Sequence, residues 1–107
     1  MGVRKSARWM KQVDDRILEH LDESGESKPS MMAKHPRFDD MTVSTGQVRD
    51  RCRVLAAANM LVRDDLGWFD ITRWGQLYLS GDLDAENQPE PHRHGWKWFH
   101  QTALPEP

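Results

Sequence analysis

Val43-Ser44-Thr45-Gly46-Gln47-Val48-Arg49-Asp50-Arg51-Cys52-Arg53-Val54-Leu55 is the stretch that decides how this chain is read. Ser44 is a good N-cap residue, because its hydroxyl accepts from a backbone N–H of the first turn, and it predicts a helix beginning at Thr45. In that helix Val48, Cys52 and Leu55 fall at i, i+4 and i+7 and share one face. At about 100° per residue the opposite face is centred on Gly46, Asp50, Arg53 and Ala57, with Arg49 on its flank. Asn59, which tolerates a left-handed backbone, ends the helix.

Downstream, Met60-Leu61-Val62-Arg63 and Trp68-Phe69-Asp70-Ile71 flank the loop Asp64-Asp65-Leu66-Gly67. Two short strand-like runs around a Gly-containing loop read as a β-hairpin, with Phe69 and Ile71 on the core side. Thr72 caps a further helix containing Trp74, Leu77, Tyr78 and Leu79, and Gly81 lies just past its end. Upstream, Val13, Ile17, Leu18 and Leu21 recur at helical spacing from Gln12, with Asp14 and Asp15 in the first turn, where carboxylates complement the helix dipole. Gly25 closes that helix. Pro29 opens a second, short one through Lys34, with Met31 and Met32 as core residues, and Pro36 stops it. Arg37-Phe38-Asp39-Asp40 reads as a turn with one buried ring. Two helices joined by a tight turn and followed by a two-stranded wing make a winged helix-turn-helix, an α+β fold that is mostly α. The expected division is a basic N-terminal arm over 1–11 anchored by Trp9 and Met10, the winged domain over 12–85, and a tail over 86–107. The tail is Pro- and His-rich, extended or disordered in composition, and carries the aromatic run Trp96-Lys97-Trp98-Phe99.

Composition bounds the function. The chain has 107 residues with 15 Lys plus Arg and 17 Asp plus Glu, a formal charge of −2. That length suits one domain and leaves no room for a two-domain enzyme with a cleft between halves. The near balance excludes a polybasic tail or an overall cationic surface, although not a local basic face. The mean hydropathy of −0.81 is polar for a globular domain. No apolar run approaches the ~20 residues that span a bilayer, and no apolar stretch follows the basic start to suggest a secretory signal. The single cysteine, Cys52, excludes an intrachain disulfide framework and fits a reducing interior. Asp is favoured over Glu and Arg over Lys, a bias of halophile proteins. No nucleophile–base pair, Gly-rich phosphate loop or metal-ligand spacing appears, which argues against an enzyme and calls for no cofactor.

The sequence resembles the winged-helix regulators of halophilic archaea related to the repressor of the haloarchaeal phage φH, and more broadly is similar to MarR- and ArsR-type regulators. The residues that carry the resemblance are Arg8-Trp9-Met10, Asp14-Asp15-Arg16-Ile17-Leu18-Glu19, Val48, Arg51-Cys52, Leu55-Ala56, Ile71-Thr72, Gly75, Tyr78-Leu79 and Gly81-Asp82-Leu83-Asp84-Ala85. They span about residues 8–86. Asn59-Met60 stands where such families show Gly-Leu, His35 to Met41 is bulkier than the usual turn, and the aromatic tail has no counterpart. The resemblance implies a cytoplasmic, DNA-binding transcriptional regulator, a repressor more than an activator.

On this reading helix 45–58 lies in the major groove of double-stranded DNA, and the candidate contacts are Ser44, Thr45, Gln47, Arg49, Arg51, Arg53 and Arg63. Arg matches guanine O6 and N7 or a phosphate, and Gln and Thr match adenine or phosphate. Each has a plainer alternative. Arg49 and Arg53 could be a solvated face paired with Asp50, Gln47 and Thr45 simple first-turn polar residues. Arg51, nearer the core side, could equally partner a buried carboxylate. Asp64 and Asp65 put the wrong sign for phosphate at the wing tip, leaving Arg63 and Arg73 as its donors. Cys52 reads as a small buried hydrophobe rather than a redox sensor, and His92, His94 and His100 do not make a strong metal site. A homodimer is expected, joined through the Trp9 region or through Trp96, Trp98 and Phe99. The alternative is a winged-helix protein-interaction module with little or no DNA binding.

Overall fold

The apolar stripe from Val13 to Leu21 folds into α1, Gln12–Ser24, with Ile17, Leu18 and Leu21 sealed from solvent. The structure, a computed structural model, describes residues 3–91. Pro29 occupies the first position of α2, Pro29–Ala33, where its missing N–H costs nothing. Phe38 is the buried ring of a 3₁₀ turn, Pro36–Phe38, that leads into α3, Thr45–Ala57. β1, Leu61–Arg63, pairs antiparallel with β2, Phe69–Ile71, in the register Leu61↔Ile71, Val62↔Asp70 and Arg63↔Phe69. The chain then enters α4, Arg73–Ser80, and a 3₁₀ turn at Ala85–Asn87. This is the winged helix-turn-helix expected from the order of elements.

One core joins these pieces. Val48, Cys52 and Leu55 of α3 meet Ile17, Leu18 and Leu21 of α1, with Met32, Phe38, Met60, Phe69 and Tyr78 around them. The wing is tied in on both edges. Ser27, between α1 and α2, pairs with Phe69 in both directions, N to O at 3.0 and 2.8 Å, and so extends the two-stranded sheet by one residue. At the other end, the Thr72 hydroxyl caps α4 by accepting from Gly75 N–H at 3.3 Å and donates to Asn59 carbonyl at 2.6 Å. Asn59 takes φ 69°, the left-handed turn that ends α3. Gly75 has no alternative at its position: a Cβ there would lie 2.6 Å from both Ile71 Cγ1 and the Met60 carbonyl oxygen.

Three expectations change. Met31 is half exposed while Met32 is fully buried. Five residues make only one turn and a half, and Pro29 and Met32, at i and i+3, take the inward side. Ala57 is buried, not on the open face of α3, because β1 follows at once and covers the last turn, where Val54 is buried too. The open face therefore runs only from Gly46 to Arg53. The N-terminal residues, in turn, lie along the domain. Arg4 Nε donates to the Leu79 carbonyl at 3.1 Å, Lys5 bridges to Asp84, and Ala7 is buried. Arg8 pairs with Glu86 at 3.5 Å, so the first residues of the expected tail belong to the same packed body. Trp96, Trp98, Phe99 and the three tail histidines lie outside the described residues.

Candidate nucleic-acid interface

Ser44 and Gln47 fix the start of α3 by a reciprocal capping box. The Ser44 hydroxyl accepts from Gln47 N–H at 3.1 Å, and Ser44 N–H donates to Gln47 Oε1 at 2.8 Å. Both predicted contacts thus have a structural task. Any two-point contact from Gln47 to adenine has to share the amide oxygen with the cap. Thr45 is half-buried, while Gly46, Gln47, Arg49, Asp50 and Arg53 are exposed.

Arg51 leaves the set of groups that face a ligand. It is 7% exposed, and Asp14 is 0% exposed. Its Nε donates to Asp14 Oδ1 at 2.9 Å and its Nη2 to Asp14 Oδ2 at 2.7 Å, a two-point guanidinium–carboxylate pair. Nη2 also reaches the Trp9 carbonyl at 3.1 Å. Asp14 further accepts from Lys11 N–H at 2.9 Å, so one carboxylate ties the N-terminal residues, the start of α1 and the middle of α3. The physical reason is helical phase: Arg51 lies one residue from Cys52, on the flank that turns toward α1.

The other arginines divide into two groups. Arg4 pairs with Asp15 and Glu19, Arg8 with Glu86, Arg16 with Asp40, and Arg37 with Glu23. Arg49, Arg53, Arg63 and Arg73 have no carboxylate partner among the described residues. Three of these four converge. Arg49 and Arg53 of α3 and Arg63 of β1 line a cleft of about 170 Å³ between α3, the start of α2 and the wing, with Lys28, Ser30, Leu66 and Phe69 completing its walls. No acidic residue lines it. Arg53 and Arg63 also border a second hollow, of about 320 Å³, that opens toward Asp64 and Asp65.

The acidic wing tip has a structural origin. Asp64 Oδ1 accepts from Leu66 N–H at 2.8 Å and Trp68 N–H at 2.9 Å, so this carboxylate builds the hairpin turn. Lys28 was not visible as a site residue in the sequence. It precedes Pro29 as a lone lysine, and only the Ser27–Phe69 pairing brings it beside the wing, with its ammonium 5.4 Å from the Trp68 ring centroid.

Elsewhere the polar groups are accounted for internally. Burial, with a smaller contribution from Asp14, pushes the Cys52 thiol up to about 12, so it is not a reactive thiolate at neutral pH. His20 is buried with its Nδ1 3.3 Å from Arg37 Nη1. A guanidinium only donates, so the imidazole accepts and is neutral. Burial first, then the neighbouring His35 and Arg37, lower its pKa. Among the described residues no group of His, Cys, Asp or Glu is placed to hold a metal ion, and no helix is long and apolar enough to cross a membrane.

A fold with a short capped helix exposing cations beside a two-stranded wing defines a class of regulators, and the chain matches the winged helix-turn-helix phage repressor family over residues 3–90. It belongs to that family, which is one of regulators and not of enzymes. Among its relatives is the repressor protein of Halobacterium phage phiH, 30% identical over 92 residues, a match covering 79% of this chain and 96% of that protein. The crystal structure of the PhiH1 repressor-like protein from Haloarcula marismortui superposes with a TM-score of 0.77 at 32% identity, covering 84% of this chain and 99% of that one.

Proposed function

We propose that this protein is a sequence-specific, double-stranded-DNA-binding transcriptional repressor of the cytoplasm that places α3 in the major groove. The observation that carries the reading is the partition of the arginines. Those elsewhere on the domain are, Arg73 apart, neutralised by a carboxylate, whereas Arg49, Arg53 and Arg63 face one cleft without one. A cluster of like charges is self-repelling, and its natural complement is the phosphate backbone with the base edges beyond it. On this reading Arg53, near the centre of the open face, reads a base. Arg49 and Gln47 flank it, Thr45 and Ser44 approach the phosphates at the start of α3, and Arg63 contacts the backbone from the wing. The net charge of −2 is no obstacle, because the acids lie mainly on α1, at the wing tip and near Asp82 and Asp84. The name of the phage relative supports the repressor assignment.

Two copies bound to a pseudo-palindrome present their recognition helices about 34 Å apart, one turn of DNA. The Trp9 segment, which packs on the domain beside Arg51, is the dimerisation element we favour among the described residues. The test is fluorescence anisotropy on a duplex selected from a random pool. Arg53→Ala weakens binding by ~1–3 kcal/mol and relaxes the preference at one base-pair position. Unchanged affinity removes Arg53 from the reading set, and a sedimenting species that is only monomeric at micromolar concentration removes the dimer.

A further inference from the structure

We infer that the cleft between the start of α2, α3 and the wing is a seat for one backbone phosphate, and that Lys28, held in place by Trp68, is the residue that closes it. The inference rests on the proposed DNA-binding reading and adds to it a residue outside α3 and the wing strands. Four cations from three parts of the fold, Lys28, Arg49, Arg53 and Arg63, line this one cleft, and no carboxylate lines it with them. Ser30 and the open mouth add a polar wall and access to solvent, while Leu66 and Phe69 form an apolar flank. A compact group with several acceptor oxygens satisfies such a wall. A guanine edge also offers two acceptors, but it is neutral and does not balance four cations.

Lys28 is positioned for this task. Its neighbour Ser27 is paired on both sides to Phe69, at 3.0 and 2.8 Å, which fixes the backbone of residue 28 to the wing. Pro29 then sets the entry into α2. The ammonium stands 5.4 Å from the Trp68 ring centroid, and the Trp68 N–H is itself held by Asp64 at 2.9 Å. A ring attracts the cation without neutralising it, so the charge stays available to an anion. Arg53 and Arg63 border both hollows and so form the edge of the seat.

The experiment measures duplex affinity against salt concentration for the full chain, for Lys28→Ala and Lys28→Arg, and for Trp68→Leu. It uses a selected duplex and a random-sequence duplex. Losing one phosphate contact lowers the log–log salt slope by about 0.9. Lys28→Ala is expected to lower the slope by about one and to weaken both duplexes by the same factor, leaving their ratio unchanged. Lys28→Arg retains the slope, and Trp68→Leu shows no further loss when combined with Lys28→Ala. An unchanged slope for a folded Lys28→Ala, with wild-type binding intact, overturns the phosphate seat alone. A loss confined to the selected duplex makes Lys28 a base reader and also overturns it. Wild-type protein that binds neither duplex at low salt overturns the DNA reading and this inference together. In a parallel arm, inorganic phosphate that stabilises the protein through Lys28, without any effect of Lys28→Ala on the DNA slope, overturns it in favour of a free-anion site.

Discussion

Removing Arg51 should strongly destabilise the protein without removing a DNA contact. Arg51 and Asp14 are both buried and share two hydrogen bonds of 2.9 and 2.7 Å, and Arg51 holds the Trp9 carbonyl as well. Arg51→Ala leaves a carboxylate in the core with only the Lys11 N–H as partner. Breaking one side of such a pair costs ~3–5 kcal/mol, because the remaining charge is buried without compensation. A domain of this kind has ~5–15 kcal/mol of stability in total, so Arg51→Ala consumes between about a fifth and all of it. Replacing both partners with apolar residues of similar size is close to neutral, since the desolvation of both ions disappears along with their attraction. The assay is urea unfolding of the wild type, Arg51→Ala, Asp14→Leu and the double variant Asp14→Leu/Arg51→Met, with duplex affinity measured on every variant that folds. Both single variants should be unstable, and the double variant should be largely restored with unchanged DNA affinity. This expectation is refuted by an Arg51→Ala variant that loses less than ~1 kcal/mol, the cost of a surface pair, or by a stable double variant that has lost DNA binding.

Three further outcomes follow from individual side chains. Gly75→Ala places a Cβ against Ile71 and the Met60 carbonyl. It should cost about 1–3 kcal/mol of overpacking, read as a lower midpoint in the same urea titration. His20 is held neutral by burial and by the positive Arg37, with His35 edge-on to it and Glu23 on the far side of Arg37. Its folded pKa lies below the unfolded value, so the unfolded chain binds the proton first. Stability should fall as pH drops below about 6.5, and His20→Gln should flatten that part of the pH profile measured by thermal unfolding. Cys52, with its thiol near 12, should resist iodoacetamide at pH 8 in the native state and react fully in urea, as followed by mass spectrometry.

The elements of the fold were legible because their signals are local. Ser44 and Thr72 are caps, Pro29 opens a helix, Asn59 and Gly81 take left-handed turns, and the stripe Val48, Cys52, Leu55 points inward. What the sequence left open depended on neighbours distant in the chain. A single-helix wheel puts Ala57 opposite Val48, and only the presence of β1 shows why it is covered. Arg51 was balanced between a buried carboxylate and a phosphate, and the choice lay with Asp14, 37 residues earlier. Met31 and Met32 are indistinguishable by composition, and the phase of one short helix separates them. Asp64 looked like a misplaced charge because the two N–H groups it accepts from are visible only when the hairpin is folded. Lys28 carried no signal at all, since its place beside the wing arises from the pairing of Ser27 with Phe69. The pattern is physical: periodicity and capping report on the chain within one or two turns, whereas the pairing of charges is decided by packing.

The central claim is that the unneutralised arginines of α3 and the wing are the DNA surface. It is tested most directly by the salt dependence of duplex binding for the wild type and for the triple variant Arg49→Ala/Arg53→Ala/Arg63→Ala, with Arg73→Ala as the control for an unpaired arginine outside the cleft. Arg53 is assigned to a base, so loss of the phosphate contacts of Arg49 and Arg63 lowers the log–log slope by about 1–2 units, at about 0.9 per phosphate. The account predicts that fall, with affinity collapsing toward the background, and no change in slope for Arg73→Ala. A folded triple variant that binds with the wild-type slope and affinity would contradict it.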